Sequence, residues 1–196
     1  MTPESARDLL LRHGALIEGH YVLSSGLHSS RYLQCAVALQ HPQSATALGA
    51  ALAQRVREQR LSVQRVVSPA LGGLIIGHEV ARGLQVPACF TERVDGKMLL
   101  RRGFELTPGE RVLLVEDVIT TGLSSRETLA TIIDLGATPV AAACIANRSG
   151  RDQLDSWPLL ALMDLDVPSW DAGSCPLCRN GSQPTKPGSR RQPGTE

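Results

Sequence analysis

Apolar positions in this chain follow two rhythms that alternate from residue 42 onward. Short continuous apolar runs at Val86–Phe90, Val112–Val115, Pro139–Ala146 and Leu159–Met163 have the pattern of strands buried on both faces, and Val63–Val67 is the first parallel strand candidate. Between them, apolar residues recur three or four apart, as on one face of a helix. This gives helices from Pro42 through Leu48, Leu52 and Val56, from Leu74 to Arg82, and from Ser124 to Leu135 with a stop at Gly136. Alternating strands and helices predict an α/β fold, a central parallel sheet flanked by helices on both faces. Ahead of this core, Thr2-Pro3-Glu4 starts a helix that stops near Gly14. Gly19 to Leu33 then alternates apolar and polar residues in two pieces broken at Ser24-Ser25-Gly26, a β-ribbon with a polar corner. A single domain over residues 1–172 is expected, with the ribbon region at about 15–40 and the core at about 42–165. The polar tail, 173–196, is expected to be poorly ordered, above all from Arg179 on.

Composition narrows the function classes. The 196 residues suffice for one substantial core. Lys+Arg 20 against Asp+Glu 19 leaves no global field for nucleic acid, and 3% aromatics leave few stacking platforms for single strands. No apolar run reaches the roughly 18–20 residues of a membrane helix, and no signal-peptide order opens the chain. Five cysteines without an export signal are expected to be reduced thiols in a cytoplasmic protein.

The chemistry concentrates after the third apolar run. Glu116 and Asp117 put two carboxylates at the carboxyl end of Val112–Val115, where open α/β sheets bind ligands. Thr120-Thr121-Gly122 forms a small polar turn, and Ser124 with Glu127 fits a capping box at a helix start. Free amides at such a helix start attract anions. An anion cradle beside two hydroxyl acceptors suits a phosphorylated sugar. No Gly-Lys-Ser/Thr follows, so this is not a Walker loop.

This apolar run, acidic pair and threonine-glycine loop resembles the 5-phosphoribosyl 1-diphosphate signature of the type I phosphoribosyltransferases. The Gly19–Leu33 ribbon is similar to the amino-terminal β hood of the orotate phosphoribosyltransferases in that family. The resemblance implies the type I phosphoribosyltransferase fold and transfer of a phosphoribosyl group to orotate, giving orotidine 5′-monophosphate and diphosphate with Mg²⁺. By the same resemblance, Glu116, Asp117, Val118, Ile119, Thr120, Thr121, Gly122, Leu123 and Ser124 would hold the ribose 5-phosphate part of the donor. Ser68 to Gly73 matches the diphosphate loop, with Ala70, Leu71, Gly72 and Gly73 contributing backbone amides. The polar stretch Thr91–Phe104 matches the family's mobile catalytic loop, so Arg93 and Lys97 would neutralise diphosphate, with Arg101 or Arg102 as a further cation. Arg93, Lys97 and Asp117 are thus the catalytic candidates. Arg148, Thr121, Ser25 and Tyr32 are the candidates for orotate. In that family the catalytic loop closes over the neighbouring subunit's site, which implies a homodimer. Some members carry lysine where this chain has Ser24 and Gly72. A purine or xanthine phosphoribosyltransferase and a non-catalytic donor-binding regulator are the rival readings.

Other candidate sites are weaker. His78-Glu79 lacks the second histidine of a zinc-protease motif, because Arg82 stands at the required position. Cys89 lies in an apolar run and is read as core. Cys175 and Cys178 have the spacing of half a zinc site, but no second Cys-x-x-Cys or histidine lies near them in sequence. They are read as incidental, with a zinc site shared across a dimer as the alternative. Mg²⁺ is expected to arrive with the substrate, not on protein ligands.

Overall fold

The computed structural model describes residues 1–23 and 25–187. Ser24, one of the two positions where the resemblance departs, lies outside the described residues. In chain order the elements are α1 (Pro3–Arg12), β1 (Leu16–Val22), β2 (His28–Leu33), α2 (Cys35–Leu39), α3 (Pro42–Glu58), β3 (Arg65–Pro69), α4 (Gly73–Leu84) and β4 (Ala88–Val94). They continue with β5 (Lys97–Leu100), β6 (Arg111–Ile119), α5 (Leu123–Asp134), β7 (Thr138–Asn147), β8 (Gln153–Leu154), β9 (Trp157–Asp164), β10 (Ser169–Trp170) and α6 (Pro176–Arg179).

The main sheet has the order β5-β4-β3-β6-β7-β9-β8. Its five inner strands are parallel, and the edge strands β5 and β8 run antiparallel. Continuous apolar runs arise because each inner strand feeds two cores. Val66, Leu113, Val115, Ala141, Ala143 and Ile145 join the core that contains Leu10 of α1, Leu48 and Leu52 of α3 and Ile76 of α4. Their neighbours Val67, Val112, Leu114, Ala142 and Cys144 face the opposite core with Leu129 and Ile132 of α5. Every second residue therefore changes face, and polar residues have no place in the run. Burying a side chain such as Leu113 or Leu114 completely contributes about 1.5–3 kcal/mol.

The expected flexible loop over Thr91–Phe104 is corrected. β4 continues to Val94 and turns back into β5, with Arg93 opposite Met98 and Val94 opposite Lys97. The turn is Asp95-Gly96, both left-handed at φ 50° and 81°. Asp-Gly between two strand-like pieces is a two-residue hairpin signal, masked in the sequence by the density of charges around it.

A second sheet, β1-β2-β10, forms the hood, all of it antiparallel. The C-terminal segment belongs to it. Beyond β10, Thr185 bridges to Tyr21, its carbonyl accepting from the Val22 amide and its amide donating to the His20 carbonyl, both at 2.8 Å. Poor order is therefore corrected for residues 179–187: the amides of 179–182 bond back to α6 and its flanks, and Thr185 bonds to the hood; residues 188–196 lie outside the described residues. No helix among the described residues is long and apolar enough to cross a membrane.

Candidate functional site

The carboxyl ends of β3, β6 and β7 meet, and the candidate residues sit there. At the end of β6, Glu116 and Asp117 are half-buried side by side. Burial pushes Glu116 up to about 7; the Ser125 hydroxyl, which donates to its carboxylate, opposes the rise, and neighbouring Asp117 adds to it. Burial also raises Asp117, while the Val118 amide donating to its Oδ1 at 2.9 Å holds it down. Ser125, absent from the sequence reading, is the hydroxyl that positions Glu116.

The expected Ser124–Glu127 capping box does not form. Gly122 is the N-cap, left-handed at φ 74°, and no side chain caps the helix. Because α5 starts one residue earlier than expected, Ser124 is already helical and Glu127 turns outward to Arg93. The outcome for an anion is favourable. The first amides of α5 keep no side-chain partner and point, with the positive end of the helix dipole, into the loop. Arg126 braces this loop from outside, its Nη1 donating to the Thr121 carbonyl and its Nε to Asp155 Oδ1 at 2.7 Å. Gly122 is buried where a Cβ would meet Leu154 Cδ1 at 2.7 Å, so packing as well as φ excludes larger residues. Thr120, Thr121 and Leu123 are exposed on the loop, whereas the Ile119 side chain is buried in the core and offers only backbone to the site.

The β3–α4 loop closes against the same carboxylates. Ala70 donates its amide to the Thr91 carbonyl at 2.7 Å, the Ala70–Leu71 peptide is cis, and Leu71 stands 82% exposed. A Cβ on Gly72 would lie 2.6 Å from Asp117 Oδ1, and one on Gly73 would lie 2.9 Å from the Val115 carbonyl oxygen. The absence of side chains at 72 and 73 lets the two loops touch.

Arg148 completes the cluster from β7. Its amide donates to the Ile119 carbonyl at 2.8 Å, which sets it beside the phosphate-type loop. The strand end is held by Asn147, whose Nδ2 donates to Asp164 Oδ1 at 2.7 Å and to the Arg151 carbonyl at 2.8 Å. Arg148 Nε is buried without a partner, and burial lowers the guanidinium's pKa. An orphaned guanidinium nitrogen inside a site is a strong invitation to a carboxylate.

Six candidates stand apart from this cluster. Arg93 pairs with Glu127 and donates to the Gly96 carbonyl at 2.8 Å. Lys97 is exposed on edge strand β5 and has no acidic partner among the described residues. Arg101 and Arg102 both pair with Glu92. On the hood, Ser25 is exposed beside the turn, and the Tyr32 hydroxyl donates to Gln34 Oε1 at 3.2 Å. Neither hood residue hydrogen-bonds to the phosphate-type loop.

The ground for reading Cys175 and Cys178 as incidental, the lack of a nearby histidine, does not hold in space. His20 and His28, distant in sequence, come within 4.8 Å of both thiols. Sequence proximity was the wrong criterion, because strand pairing in the hood brings the chain ends together.

The model of the phosphoribosyl transferase domain matches residues 38–170. The chain is similar to the orotate phosphoribosyltransferase of Acidithiobacillus ferrooxidans, 46% identical over 97% of this chain and 98% of that one. It is 44% identical to the orotate phosphoribosyltransferase of Thermotoga maritima, over 94% of this chain and 97% of that protein. Among solved structures, orotate phosphoribosyltransferase from Aeropyrum pernix superposes with a TM-score of 0.64 at 25% identity, over 81% of this chain and 92% of that one. The Mycobacterium tuberculosis enzyme in complex with inorganic phosphate, 20% identical over 83% and 96% of the two chains, shares the fold at a TM-score of 0.66.

Proposed function

We propose a division of labour in the site from the premise that this chain belongs to the orotate phosphoribosyltransferases, glycosyltransferases that transfer the phosphoribosyl group of 5-phosphoribosyl 1-diphosphate to orotate, releasing diphosphate, in pyrimidine biosynthesis. Thr120, Thr121, Gly122, Leu123 and Ser124 hold the 5-phosphate with loop amides and hydroxyls, helped by the dipole of α5. Glu116 and Asp117 accept hydrogen bonds from the ribose hydroxyls, and Val118 and Ile119 line the cradle with backbone alone. The amides of Leu71, Gly72 and Gly73 face the diphosphate, while that of Ala70 is held by the Thr91 carbonyl and fixes the loop. Arg148 takes the carboxylate of orotate in a charge-assisted pair, with Thr121 and, from the hood, Ser25 and Tyr32 around the ring.

The reaction forms a bond from a ring nitrogen of orotate to the anomeric carbon and breaks that carbon's bond to the diphosphate oxygen. Positive charge grows on the ribose ring while negative charge leaves with diphosphate. Glu116 and Asp117 face the positive side, and amides and cations face the negative side, so both developing charges meet fixed partners. Lys97 supplies the free cation, since its ammonium has no acidic partner among the described residues while Arg93 starts from a pair with Glu127. A shared catalytic hairpin in a homodimer would deliver Lys97 to the neighbouring site. Mg²⁺ fits the donor set: two hard carboxylates are too few for an all-protein cage but suit a hydrated ion carried in on diphosphate, whose charge it would neutralise. Free thiols and the pathway agree with a cytoplasmic setting.

The observation that carries this reading is the orphaned Arg148 beside an uncapped helix start and two carboxylates. Its test is loss of orotate absorbance with purified protein, sugar donor and Mg²⁺, with hypoxanthine, guanine, adenine, xanthine and uracil in parallel. Turnover of orotate with stoichiometric diphosphate is expected. Turnover of a purine instead would move the assignment to that branch, and donor binding without turnover would make the chain a regulator.

A further inference from the structure

Four side chains that the proposed reaction does not use meet in the hood. His20 comes from β1, His28 from β2, and Cys175 and Cys178 flank and lie within α6 at the other end of the chain. His20, His28 and Cys175 are buried, with Cys175 at 0% exposure. His20 Nε2 lies 3.0 Å from His28 Nδ1, 3.5 Å from Cys175 Sγ and 3.8 Å from Cys178 Sγ. Cys178 Sγ lies 3.2 Å from His28 Nδ1. A tetrahedral Zn²⁺ with Zn–N of about 2.0–2.1 Å and Zn–S of about 2.3 Å separates its ligands by about 3.3 Å for N···N and about 3.5–3.6 Å for N···S. The observed edges scatter around those values.

The tautomer agrees as well. His20 Nδ1 lies 3.1 Å from the Ser182 carbonyl oxygen, which can only accept, so Nδ1 carries the proton. The lone pair on Nε2 then faces the thiols, in the manner of a metal-bound histidine steadied by a carbonyl behind it. Both cysteines are free, although they lie only three residues apart.

The hood has a physical need for such a staple. It is a three-stranded sheet whose third strand, β10, has only two residues. The buried positions of β1 and β2 are Leu16, His20, His28 and Ser29, so three of the four are polar and no apolar core of its own holds the sheet. Small assemblies of this kind gain cohesion from metals or disulfides. A Cys175–Cys178 disulfide would close within one short segment, whereas a metal held also by His20 and His28 ties that segment to the hood. Pro176 starts the short turn of α6, and Gly181, left-handed at φ 79°, returns the chain so that Thr185 can pair with β1.

We propose that each chain binds one structural Zn²⁺ through His20 Nε2, His28 Nδ1, Cys175 Sγ and Cys178 Sγ, stapling the C-terminal segment to the hood. All four positions are filled by protein, so the ion is structural and has no open site for a substrate. Binding displaces the two thiol protons and leaves oxidation states unchanged.

The test uses the full chain, purified reduced and without chelator. Metal analysis is expected to find one zinc per chain, and cobalt exchange to give the intense visible bands of a tetrahedral ion with thiolate-to-cobalt charge transfer. The double variant Cys175→Ser, Cys178→Ser is expected to lose the metal, and chelator is expected to lower the melting temperature of the unmodified chain but not of the variant. Should the variant fail to fold, the cobalt spectrum of the unmodified chain decides alone. No zinc uptake by the reduced chain, a weak octahedral cobalt spectrum, metal retained by the double variant, or a Cys175–Cys178 disulfide in the freshly isolated protein would each overturn the proposal.

Discussion

Replacing Gly72 by alanine tests whether the two anion loops share one carboxylate. The backbone at Gly72 is ordinary right-handed helix, φ −58° and ψ −39°, so an L residue meets no conformational penalty there. The entire effect is steric. The new methyl would lie 2.6 Å from Asp117 Oδ1 and 3.0 Å from its Cγ and Oδ2. Reaching the 3.4 Å of ordinary contact requires a movement of about 0.8 Å, and the atoms in the way are all of the Asp117 side chain. The carboxylate must therefore rotate, breaking its 2.9 Å bond from the Val118 amide. A displacement near 1 Å in a positioning group can cost about 10²-fold, so kcat/KM for the sugar donor should fall by about 10–100-fold, or about 1.4–2.7 kcal/mol of transition-state stabilisation. Overpacking of this kind costs about 1–3 kcal/mol of stability, and at this size each kcal/mol lowers Tm by about 2–4 °C. The assay is steady-state kinetics with varied donor at saturating orotate, beside a thermal melt. Gly173→Ala, which would place its methyl in open space, serves as the control and should match the parent. Wild-type kcat/KM in Gly72→Ala would refute the shared-carboxylate geometry.

Three further perturbations examine other parts of the site. Glu116, raised from 4.5 to about 7, takes up a proton more readily folded than unfolded; its contribution to stability should therefore fall as pH rises from about 4.5 to about 7. Over the same window the ionised acceptor forms, so donor KM should drop as pH passes about 7, and Ser125→Ala should move that inflection upward; a pH profile unchanged by Ser125→Ala would count against the linkage. Arg148→Ala should raise the KM of orotate by about 10–100-fold, the range of a charged hydrogen bond worth about 1.5–3 kcal/mol, with a much smaller change for the donor; equal changes in both would assign Arg148 to folding. Lys97→Ala and Asp117→Asn should each abolish most activity, and mixing the two inactive proteins should restore it if the hairpin serves the neighbouring subunit; no recovery in mixed dimers identified by native mass would confine Lys97 to its own site.

By itself, the sequence determined the layered fold and where the acidic pair and its loop would fall in it, because both are local properties. A short apolar run such as Val112–Val115 has the pattern of a strand buried on both faces, and the acidic pair and glycine loop that follow then lie at its carboxyl end. Arg148 was readable for the same reason, at the end of the next strand. What tertiary structure decided were partners and edges. Arg93 and Lys97, with Arg101 or Arg102 as a further cation, were expected to act together, and only the tertiary structure shows that glutamates pair with all three arginines. Ser125 was invisible as a partner of Glu116 until Gly122 set the phase of α5. His20, His28, Cys175 and Cys178 carry no local signal as a set, since a metal-ligand constellation depends on distance in space and the two halves lie at opposite ends of the chain. Strand pairing between β1, β2 and β10, with Thr185 laid along β1, is what turned two unremarkable pairs into one cluster.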